Sequence, residues 1–497
     1  MDDSIESATI GRNQAPSTAR SIAIIVSLVL ISEVVSFEFN MISPALPAIG
    51  KHYQGSQIGW VFTAMLIVGG ASLPIIGKMG DRFGKRLILL SGTGSLAFGA
   101  ILCALSWSFP VMIVGRAFQG VGMVALVLTY GLVRDLVPPR LVPIGIGALG
   151  TGVGVSAIIG PFIGGWLTET VGFRAPFVVL AVYAMATILL VFAVVPETPV
   201  RNPQYINYLS GLSLGVTLGF LIAAVTFAGY RVPLFIVGVL ALAVFVISEF
   251  RSRSPLVPLR FVRDSGILPI LIVAILIGAI FNSNVTFIPQ ILQSKATDGQ
   301  GNGLGLSPAT YSLYYAVVMG IFGALTGVLI GFLCRKFSPR LSFMVSAIAW
   351  CVGAALVATG SINSIPMAIV LGALFGIGTG SYHSSVSNLV VESVHDTDQG
   401  LGASLKTTAE QFAGAVATGF LGVLVVNSTV GTDSATGTRV VDMSGFDTIY
   451  VIYVVLAALA LLVAVFMKNG RQPASGGTRT QSVESSPLKP SPLEPSK

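Results

Sequence analysis

Six ionisable side chains lie inside long apolar stretches of this 497-residue chain: Glu33, Glu38, Arg116, His383, Lys406 and Glu410. A charged group at the centre of a bilayer costs about 2.5–3.5 kcal/mol on insertion scales, so such groups are functional candidates. Loss of water favours the neutral form of a carboxyl group, which can then hold a proton and release it when a cation arrives. These residue types therefore predict proton or cation exchange.

Glu38 and Glu410 are the main candidates for proton coupling or cation binding, with a salt bridge to a basic neighbour as the alternative role. Lys406 precedes Glu410 by four residues, which places both side chains on one helix face. This local pair is the strongest objection to Glu410 as a free proton carrier. Glu33 is a weaker candidate, because a separation of five residues turns it away from Glu38 around the helix.

Arg116 is a cation within an apolar stretch, and Gln119 follows it by one helical turn. We therefore expect a carboxylate partner for this arginine. His383 titrates near neutral pH in its unperturbed form. A lone helical histidine is more often a hydrogen-bonded packing residue, and both roles remain open.

Composition restricts the chain to one class of protein. Apolar residues make up 53% of the sequence and charged residues only 10%, against about 25% in soluble domains. The mean hydropathy is +0.85, and the apolar residues form long blocks rather than the alternating pattern of a membrane barrel. These features exclude soluble enzymes, nucleic-acid binders and disulfide scaffolds, and they predict an all-α membrane protein. We expect no disulfide and no metal site from Cys103, Cys334 and Cys351.

The apolar blocks predict fourteen transmembrane helices, since about 20 apolar residues cross the hydrocarbon core. The predicted spans are residues 21–43, 58–77, 87–106, 110–132, 143–167, 173–195, 207–229, 232–250, 266–289, 309–333, 341–360, 364–390, 403–426 and 448–467. An even number of spans places both termini on one side of the membrane.

The distribution of Lys and Arg predicts which side that is. Most of the 28 basic residues fall on the side of the termini, and the other side holds only Lys51, Arg174, Arg231, Lys295 and Arg439. The positive-inside rule then makes both termini cytoplasmic in a multi-pass protein of the cell membrane. The acidic loop at 391–399 departs from this pattern, and the sequence gives no role for it.

An internal repeat predicts two similar halves. The basic loop at 77–86, after span two, has a degenerate copy at 331–340, after span ten and therefore eight spans later. Two six-helix bundles related by pseudo-two-fold symmetry, plus two inserted helices, account for this offset, and substrates of such proteins bind between the halves. The predicted organisation is a cytoplasmic tail (1–20), an N-terminal bundle (21–195), two linker helices (207–250), a C-terminal bundle (266–467) and a disordered cytoplasmic tail (471–497).

The motifs resemble those of the major facilitator superfamily along nearly the whole chain. Residues 77–86, GKMGDRFGKR, resemble its signature Gly-x-x-x-Asp-Arg-x-Gly-Arg-Lys, and residues 116–120 are similar to Arg-x-x-Gln-Gly. Residues 160–165 resemble the antiporter signature of the family's exporters. Glu249, Pro255, Leu256 and Leu259 are similar to a pattern in the fourteen-span drug:proton antiporter branch, in which an aspartate usually occupies the position of Glu38.

The resemblance implies roles for several residues. Arg116 would act in proton coupling. A gating loop would contain Gly77, Asp81, Arg82, Gly84, Lys85 and Arg86, with Asp81 meeting the start of span thirteen near residues 400–403 when the inner side is closed. A carboxylate is stabilised at a helix N-terminus, which favours that contact. Lys85 and Arg86 can alternatively serve as topology anchors, and Arg335 replaces the acid in the second copy.

Span five carries small residues at every fourth position, which form one helix face: Ala148, Gly152, Ser156, Gly160 and Gly164. Such a face lets another backbone approach closely, and Pro161 removes one helical hydrogen bond and should bend the helix. Simple helix packing explains this face. The resemblance implies, in addition, that the face and Gly165 form a tight seal that favours outward delivery.

These observations predict a proton-coupled secondary transporter that exports small, amphipathic, cationic, drug-like compounds by alternating access. The alternative cargo is a lipid, antibiotic or metabolite made by the cell. A further hypothesis is a sensor or scaffold that has lost transport activity. Side chains expected near the substrate are Asn40, Gln119, Phe281, Tyr315 and His383. We expect a monomer in the lipid bilayer that uses the proton gradient without a cofactor. We find neither a set of residues typical of a catalytic site nor a nucleotide-binding loop in the sequence, so we do not expect an enzyme.

Overall fold

The computed structural model describes residues 18–53, 57–198, 205–252, 255, 262–263, 266–294, 303–394, 399–432, 439–441, 443–468 and 470–473. Several sequence predictions fall wholly or partly outside these residues: the tail at 1–20, the pattern residues Leu256 and Leu259, the acidic loop at 391–399 and the tail at 471–497.

Fourteen helices of the described chain are long and apolar enough to cross a membrane, as the sequence predicts. Numbered by span, those of the first half are α1 (Thr18–Ile42, Ser43–Ala45 and Leu46–His52), α2 (Trp60–Phe83), α3 (Lys85–Ala104), α4 (Phe109–Val121, Gly122–Val124 and Ala125–Leu136), α5 (Val142–Thr170) and α6 (Ala175–Val194). The linker helices are α7 (Tyr208–Thr226) and α8 (Arg231–Arg251), joined by a 3₁₀ turn, Ala228–Tyr230. The second half contains α9 (Leu268–Gln293), α10 (Pro308–Tyr311, Ser312–Ala316 and Val317–Lys336), α11 (Pro339–Ala358), α12 (Ile365–Ser393), α13 (Gln399–Asn427) and α14 (Ser444–Phe466).

The helices of the two halves pack in the same pattern. In the first half α1 contacts α5 and α6, α4 contacts α2 and α3, and α3 contacts α6. In the second half α9 contacts α13 and α14, α12 contacts α10 and α11, and α11 contacts α14. Each contact thus recurs eight helices later, which is the offset of the sequence repeat.

Each half has its own apolar core. Buried side chains from Ile24 to Val195 form a cluster in the first half, and those from Ile267 to Met467 form a cluster in the second. A third cluster joins buried residues of the first half to Ile222 of α7 and Ala415 of α13. The halves meet where α2 packs against α13 and α5 packs against α10. The two larger cores are separate, so the halves can move relative to each other without unfolding either one.

Local sequence explains how several helices begin. The hydroxyl oxygens of Ser307 and Ser338 accept hydrogen bonds from the first-turn amides of α10 and α11, and a proline follows each serine. Serine is a favoured helix cap, and proline fits the first turn because its missing N–H is not needed there. Proline at the start of a turn also explains why α1, predicted to end at 43, continues to His52 through a 3₁₀ turn at Pro44.

The long loop predicted between spans thirteen and fourteen contains a short β-ribbon, which the apolar pattern did not reveal. Strands β1 (Thr429–Thr432) and β2 (Arg439–Val441) pair antiparallel, with Thr429 opposite Val441. This pair is the one departure from an all-helical architecture in the described part of the chain.

The linker helices occupy different environments. Helix α7 packs against both α2 and α13, one from each half, whereas α8 packs mainly against α7. Between α2, α4, α7 and α8 lies an apolar groove of about 960 Å³, lined by residues such as Trp60, Phe109 and Gly219. None of the six intramembrane ionisable residues lines it.

Two terms describe depth in the molecule. The basic end is where α2 ends at Phe83 and α3 begins at Lys85, with Arg134 and Arg340 at the same level of the helices. The far end is opposite and holds Pro44 and Pro308. The sequence predicts that the basic end faces the cytoplasm.

Candidate functional site

The first acidic candidate, Glu38 on α1, is paired with Arg116 on α4. Arg116 Nη1 donates to Glu38 Oε1 at 2.9 Å and to Gln119 Oε1 at 2.7 Å, and Arg116 Nε donates to the carbonyl of Val61 at 2.7 Å. The guanidinium also lies over the Phe62 ring, 5.1 Å from its centre. Both charged side chains are fully buried. The expected carboxylate partner of Arg116 is thus Glu38.

This pair can exchange a proton for a salt bridge. A buried carboxylate needs either a cation or a proton, because an unpaired charge in a medium of low dielectric constant is strongly destabilised. If Arg116 moves to another partner, Glu38 must take up a proton. Glu38 Oε2 has no hydrogen-bond partner among the described residues, so one acceptor position is open.

The second acidic candidate, Glu410 on α13, lies in a cluster of polar and aromatic groups. Lys406 Nζ is 2.7 Å from Glu410 Oε1, as the four-residue spacing predicts. The Tyr382 hydroxyl on α12 donates to the same oxygen, and Lys406 lies over the Tyr382 ring at 5.7 Å. Glu410 is therefore held in an ion pair in this conformation, which keeps the salt-bridge alternative open.

His383, next to Tyr382, is exposed and packs edge-on against Phe281 with the ring centres 5.5 Å apart. Both residues were expected near the substrate, and both lie beside the Glu410 cluster. The remaining expected contacts are more enclosed. Gln119 is fully buried against Arg116, Tyr315 is buried in the core of the second half, and Asn40 donates to the carbonyl of Ser36. Their roles as substrate contacts stay predictions.

Glu33 has a different environment from the other two acids. The Ser156 hydroxyl on α5 donates to Glu33 Oε2 at 2.5 Å, and Glu33 is buried. The described residues provide no ion pair for it, in contrast to Glu38 and Glu410. A Cβ atom on Gly152 would lie 2.5 Å from Glu33 Oε1, so only glycine leaves room for the carboxyl group there.

The small residues of α5 allow close approach, as the sequence predicts, and α1 is the helix that approaches. Cβ atoms built on Gly160 and Gly164 would lie 2.8 Å from Asn40 Cβ and 2.2 Å from the Met41 carbonyl oxygen. Gly165 faces the other half, where the same construction meets Ser312 Oγ at 2.3 Å. Helix α5 remains continuous through Pro161. It therefore links α1 to α10.

The loop at 77–86 is bound within the first half. Gly84 has φ +120°, a conformation that favours glycine and allows a one-residue turn between α2 and α3. Lys85 Nζ lies 2.7 Å from Asp135 and 3.5 Å from Asp81. The carboxylate of Glu197 accepts hydrogen bonds from two amides at the start of α3, from Arg86 and the following residue, at 3.0 Å each.

Asp81 thus contacts Lys85 in this conformation, and its expected contact with residues 400–403 applies to a molecule closed at the basic end. Here the halves are joined by hydrogen bonds at the far end. Ser43 Oγ donates to the Val285 carbonyl at 2.9 Å, and Gln293 Nε2 donates to the Pro44 carbonyl at 3.0 Å. The backbone amide of Ala309 donates to Glu169 Oε2 at 3.1 Å.

Toward the basic end the contacts between halves give way to open space. On one face of α2, Gly59 contacts Thr418 and Gly70 contacts Phe412, whereas a Cβ on Gly77, two turns further, would meet nothing within 4 Å. On α5, Gly154 faces Ala324, but a Cβ on Gly150, one turn further, has no neighbour within 4 Å. Among the residues that the structure describes, the halves therefore contact each other at the far end and separate toward the basic end.

Sequence analysis missed several polar residues of the site and its supports. Asp135 and Glu197 hold the basic loop, and the signal for them is an acidic residue at the basic ends of spans four and six. In α9, Ser283 pairs with the Tyr453 hydroxyl, and Asn284 bonds Tyr315 and Tyr450. The signal there is the polar run at residues 282–284 in an otherwise apolar span.

Comparison with known proteins places these features in a family context. The family model described as Major Facilitator Superfamily matches residues 28–208 and 270–495, which leaves out the linker region. The crystal structure of a D-xylose–proton symporter has a TM-score of 0.63 at 14% identity, covering 92% of this chain and 99% of the symporter. At that identity the likeness shows a common fold.

Two curated relatives come from Mycobacterium tuberculosis (strain ATCC 25618 / H37Rv). An uncharacterized MFS-type transporter is 29% identical over 324 residues, which is 63% of this chain and 46% of the relative. The chain thus spans less than half of that protein's length. The drug efflux pump JefA is 27% identical over 403 residues, covering 78% of this chain and 77% of the pump.

Proposed function

We propose that this chain, which belongs to the Major Facilitator Superfamily, exports small amphipathic cations in exchange for protons. The coarser statement, that the chain is a multi-pass membrane transporter, follows from the family and from its fourteen membrane-length helices. Proton coupling, cargo charge and the direction of transport are the parts that we propose.

The observation that carries the proposal is an acid–base pair within the membrane-length helices of each half. Glu38 and Arg116 form the pair of the first half, and Glu410 and Lys406 form that of the second. A proton on either acid would release its basic partner, and a cationic cargo would replace the proton. Proton and cargo would then compete for the same carboxylates, which is the requirement for exchange.

The conformation supports alternating access. The halves are closed at the far end and open at the basic end, which the positive-inside rule assigns to the cytoplasm. Cargo would enter from the cytoplasm in this state. Movement of the halves about the α2–α13 and α5–α10 contacts would then expose the acids to the other side, where protons displace the cargo.

Export is favoured over import by two observations. The relative that aligns over about three quarters of both chains is named a drug efflux pump. Residues 160–165 on α5 match the antiporter signature of the family's exporters, and in this structure they seal α1 and α10 to α5. Both point to outward delivery.

The test is transport into liposomes that contain the purified protein. We expect an imposed pH gradient to drive a fluorescent lipophilic cation, but not a neutral dye of similar size, and we expect Glu38→Gln and Glu410→Gln to abolish this movement. Glu484→Gln is the matched control, because this carboxylate belongs to the predicted cytoplasmic tail and not to the proposed exchange pairs or to the contacts between the halves.

Two outcomes would overturn the proposal. If the folded protein moves neither dye, the cargo is of another class, and endogenous lipids and metabolites become the compounds to assay. If the cation moves equally well without a pH gradient, or in both Gln variants, the buried acids do not couple protons to transport.

A further inference from the structure

We infer that Glu33 is a third proton site, separate from the Glu38–Arg116 and Glu410–Lys406 pairs, whose protonation holds α1 against α5 and thereby stabilises the α5–α10 contact between the halves. This inference rests on the proposed proton coupling and adds a regulatory step to it. Sequence analysis ranked Glu33 below Glu38 and Glu410 as a functional candidate.

The carboxyl group of Glu33 is enclosed so tightly that it has no room for the water molecules that would solvate its ionised form. Its side chain is 4% exposed, and one oxygen accepts the hydrogen bond from Ser156 at 2.5 Å. The other oxygen, Oε1, faces Gly152 and has no hydrogen-bond partner among the described residues. The carboxyl group thus fills a gap between two helices.

No cation among the described residues forms an ion pair with Glu33, so an ionised carboxylate there would not be compensated. Helix α1 packs against α4, α5 and α6. Among the described residues of these helices, the phenols of Tyr130 and Tyr183 interact electrostatically with Glu33, and α5 contributes the neutral Ser156. Tyr183 donates its hydroxyl to the Leu30 carbonyl at 2.8 Å. An ionised Glu33 would therefore be an unpaired buried charge, so this packing requires the protonated acid.

Helix α5 transmits the effect because its two faces contact different halves. Gly152 and Ser156 face α1, while Gly154 and Ala157 face α10. A Cβ on Gly154 would lie 3.3 Å from Ala324 Cβ, and one on Gly320 would lie 2.4 Å from the Ala157 carbonyl oxygen. Displacement of α5 from α1 would therefore change the contact between the halves.

The sign of the pH dependence follows from linkage. The packed conformation binds one proton at Glu33, and a conformation in which water reaches the carboxylate releases it to that water. Low pH therefore favours the conformation seen here, and high pH favours the alternative. One proton changes the ratio of the two by at most tenfold per pH unit.

The experiment measures this ratio without cargo. Nitroxide labels would be placed by Ile144→Cys on α5 and Phe332→Cys on α10, both exposed near the basic end. The native cysteines would be replaced by alanine, and the protein reconstituted in nanodiscs. Distances between the labels would be measured by pulsed electron spin resonance from about pH 5 to about pH 9. We expect two distance populations whose ratio follows pH.

Three variants test whether Glu33 causes the pH dependence of the ratio. Glu33→Gln keeps the size of the side chain but cannot ionise, so the pH dependence of the ratio should fall to the part that Glu38 and Glu410 contribute. Ser156→Ala removes a donor that favours the ionised form, so the midpoint should move to higher pH. Glu484→Gln, in the C-terminal tail, is the control and should retain the pH dependence of the unmutated chain.

The outcomes separate this inference from the proposed function. An unchanged pH dependence in Glu33→Gln would overturn the assignment to Glu33, as would an unchanged midpoint in Ser156→Ala should the Gln variant not fold. A pH-independent ratio in the unmutated chain, together with proton-driven cation transport in liposomes, would overturn this inference alone. A ratio that depends on Glu33 without cation transport would overturn only the proposed function.

Discussion

At the residue scale, the fully buried Arg116 is the charge whose pairing we expect to affect the stability of the first half most. Its guanidinium is held by Glu38, Gln119 and the Val61 carbonyl, with no exposed surface. Removal of one partner of a buried ion pair leaves an uncompensated charge, whereas replacement of both partners by apolar groups is often neutral. This asymmetry makes the pair testable through stability as well as transport.

We therefore expect Glu38→Gln alone to lower stability by about 3–5 kcal/mol and the double variant Glu38→Gln/Arg116→Met to recover most of that loss. The measurement is thermal unfolding followed with a thiol-reactive dye, since Cys103 and Cys334 are buried until the chain unfolds. Cys351, which is partly exposed, would first be changed to serine. If Glu38→Gln and the tail control Glu484→Gln unfold at the same temperature, the ion pair with Glu38 does not stabilise the charge of Arg116.

Sequence spacing predicted the Lys406–Glu410 pair because both residues lie on one helix within four positions. It predicted that Arg116 needs a carboxylate but could not identify Glu38, which is 78 residues away and reaches Arg116 only through the packing of α1 on α4. The isolation of Glu33 was hidden for the same reason. Whether an intramembrane acid has a cation beside it depends on neighbouring helices.

At the element scale, α7 joins the two halves, and one of its close contacts is with α2. A Cβ on Gly211 would lie 2.1 Å from Ile75 Cδ1 on α2, whereas a Cβ on Gly219, two turns further along α7, would meet nothing within 4 Å. The first glycine lets α7 approach α2, and the second lines the apolar groove.

We expect Gly211→Leu to destabilise the protein by about 1–3 kcal/mol through overpacking, and Gly219→Leu to cost much less. The same thiol-dye melting curve measures both variants, and both replace a helical glycine with leucine, so intrinsic helix propensity cancels between them. Equal melting temperatures would mean that the docking of α7 on α2 does not contribute to stability.

Helix number and the repeat were predictable from apolar blocks, and the small-residue face of α5 predicted a close backbone contact. The partner of that face, α1 at Asn40 and Met41, was not predictable, because apolar blocks carry no information about which helices are neighbours. Interruptions such as the π-turn at Ser312–Ala316 leave the apolar pattern unchanged, which explains why the sequence did not reveal them.

At the scale of the whole molecule, the account depends on the orientation that the positive-inside rule predicts. We expect a protease site inserted at 433–438 to be cleaved in intact cells and a site within 474–497 to be cleaved only after lysis, since the sequence predicts the two segments on opposite sides of the membrane. Immunoblots of an N-terminal tag report both cuts. The reverse pattern would place the open basic end outside and turn the proposed export into import.

The most direct test of the central claim asks whether cargo alone can move protons. Liposomes containing the protein, a pH-sensitive dye and a high internal concentration of the lipophilic cation would be diluted into cation-free buffer without a pH gradient, with the membrane potential held at zero by potassium and valinomycin. Exchange predicts that the interior becomes acidic as cation leaves, and that protein-free vesicles and Glu38→Gln/Glu410→Gln vesicles do not acidify. Protein-dependent cation efflux at constant internal pH would contradict the account.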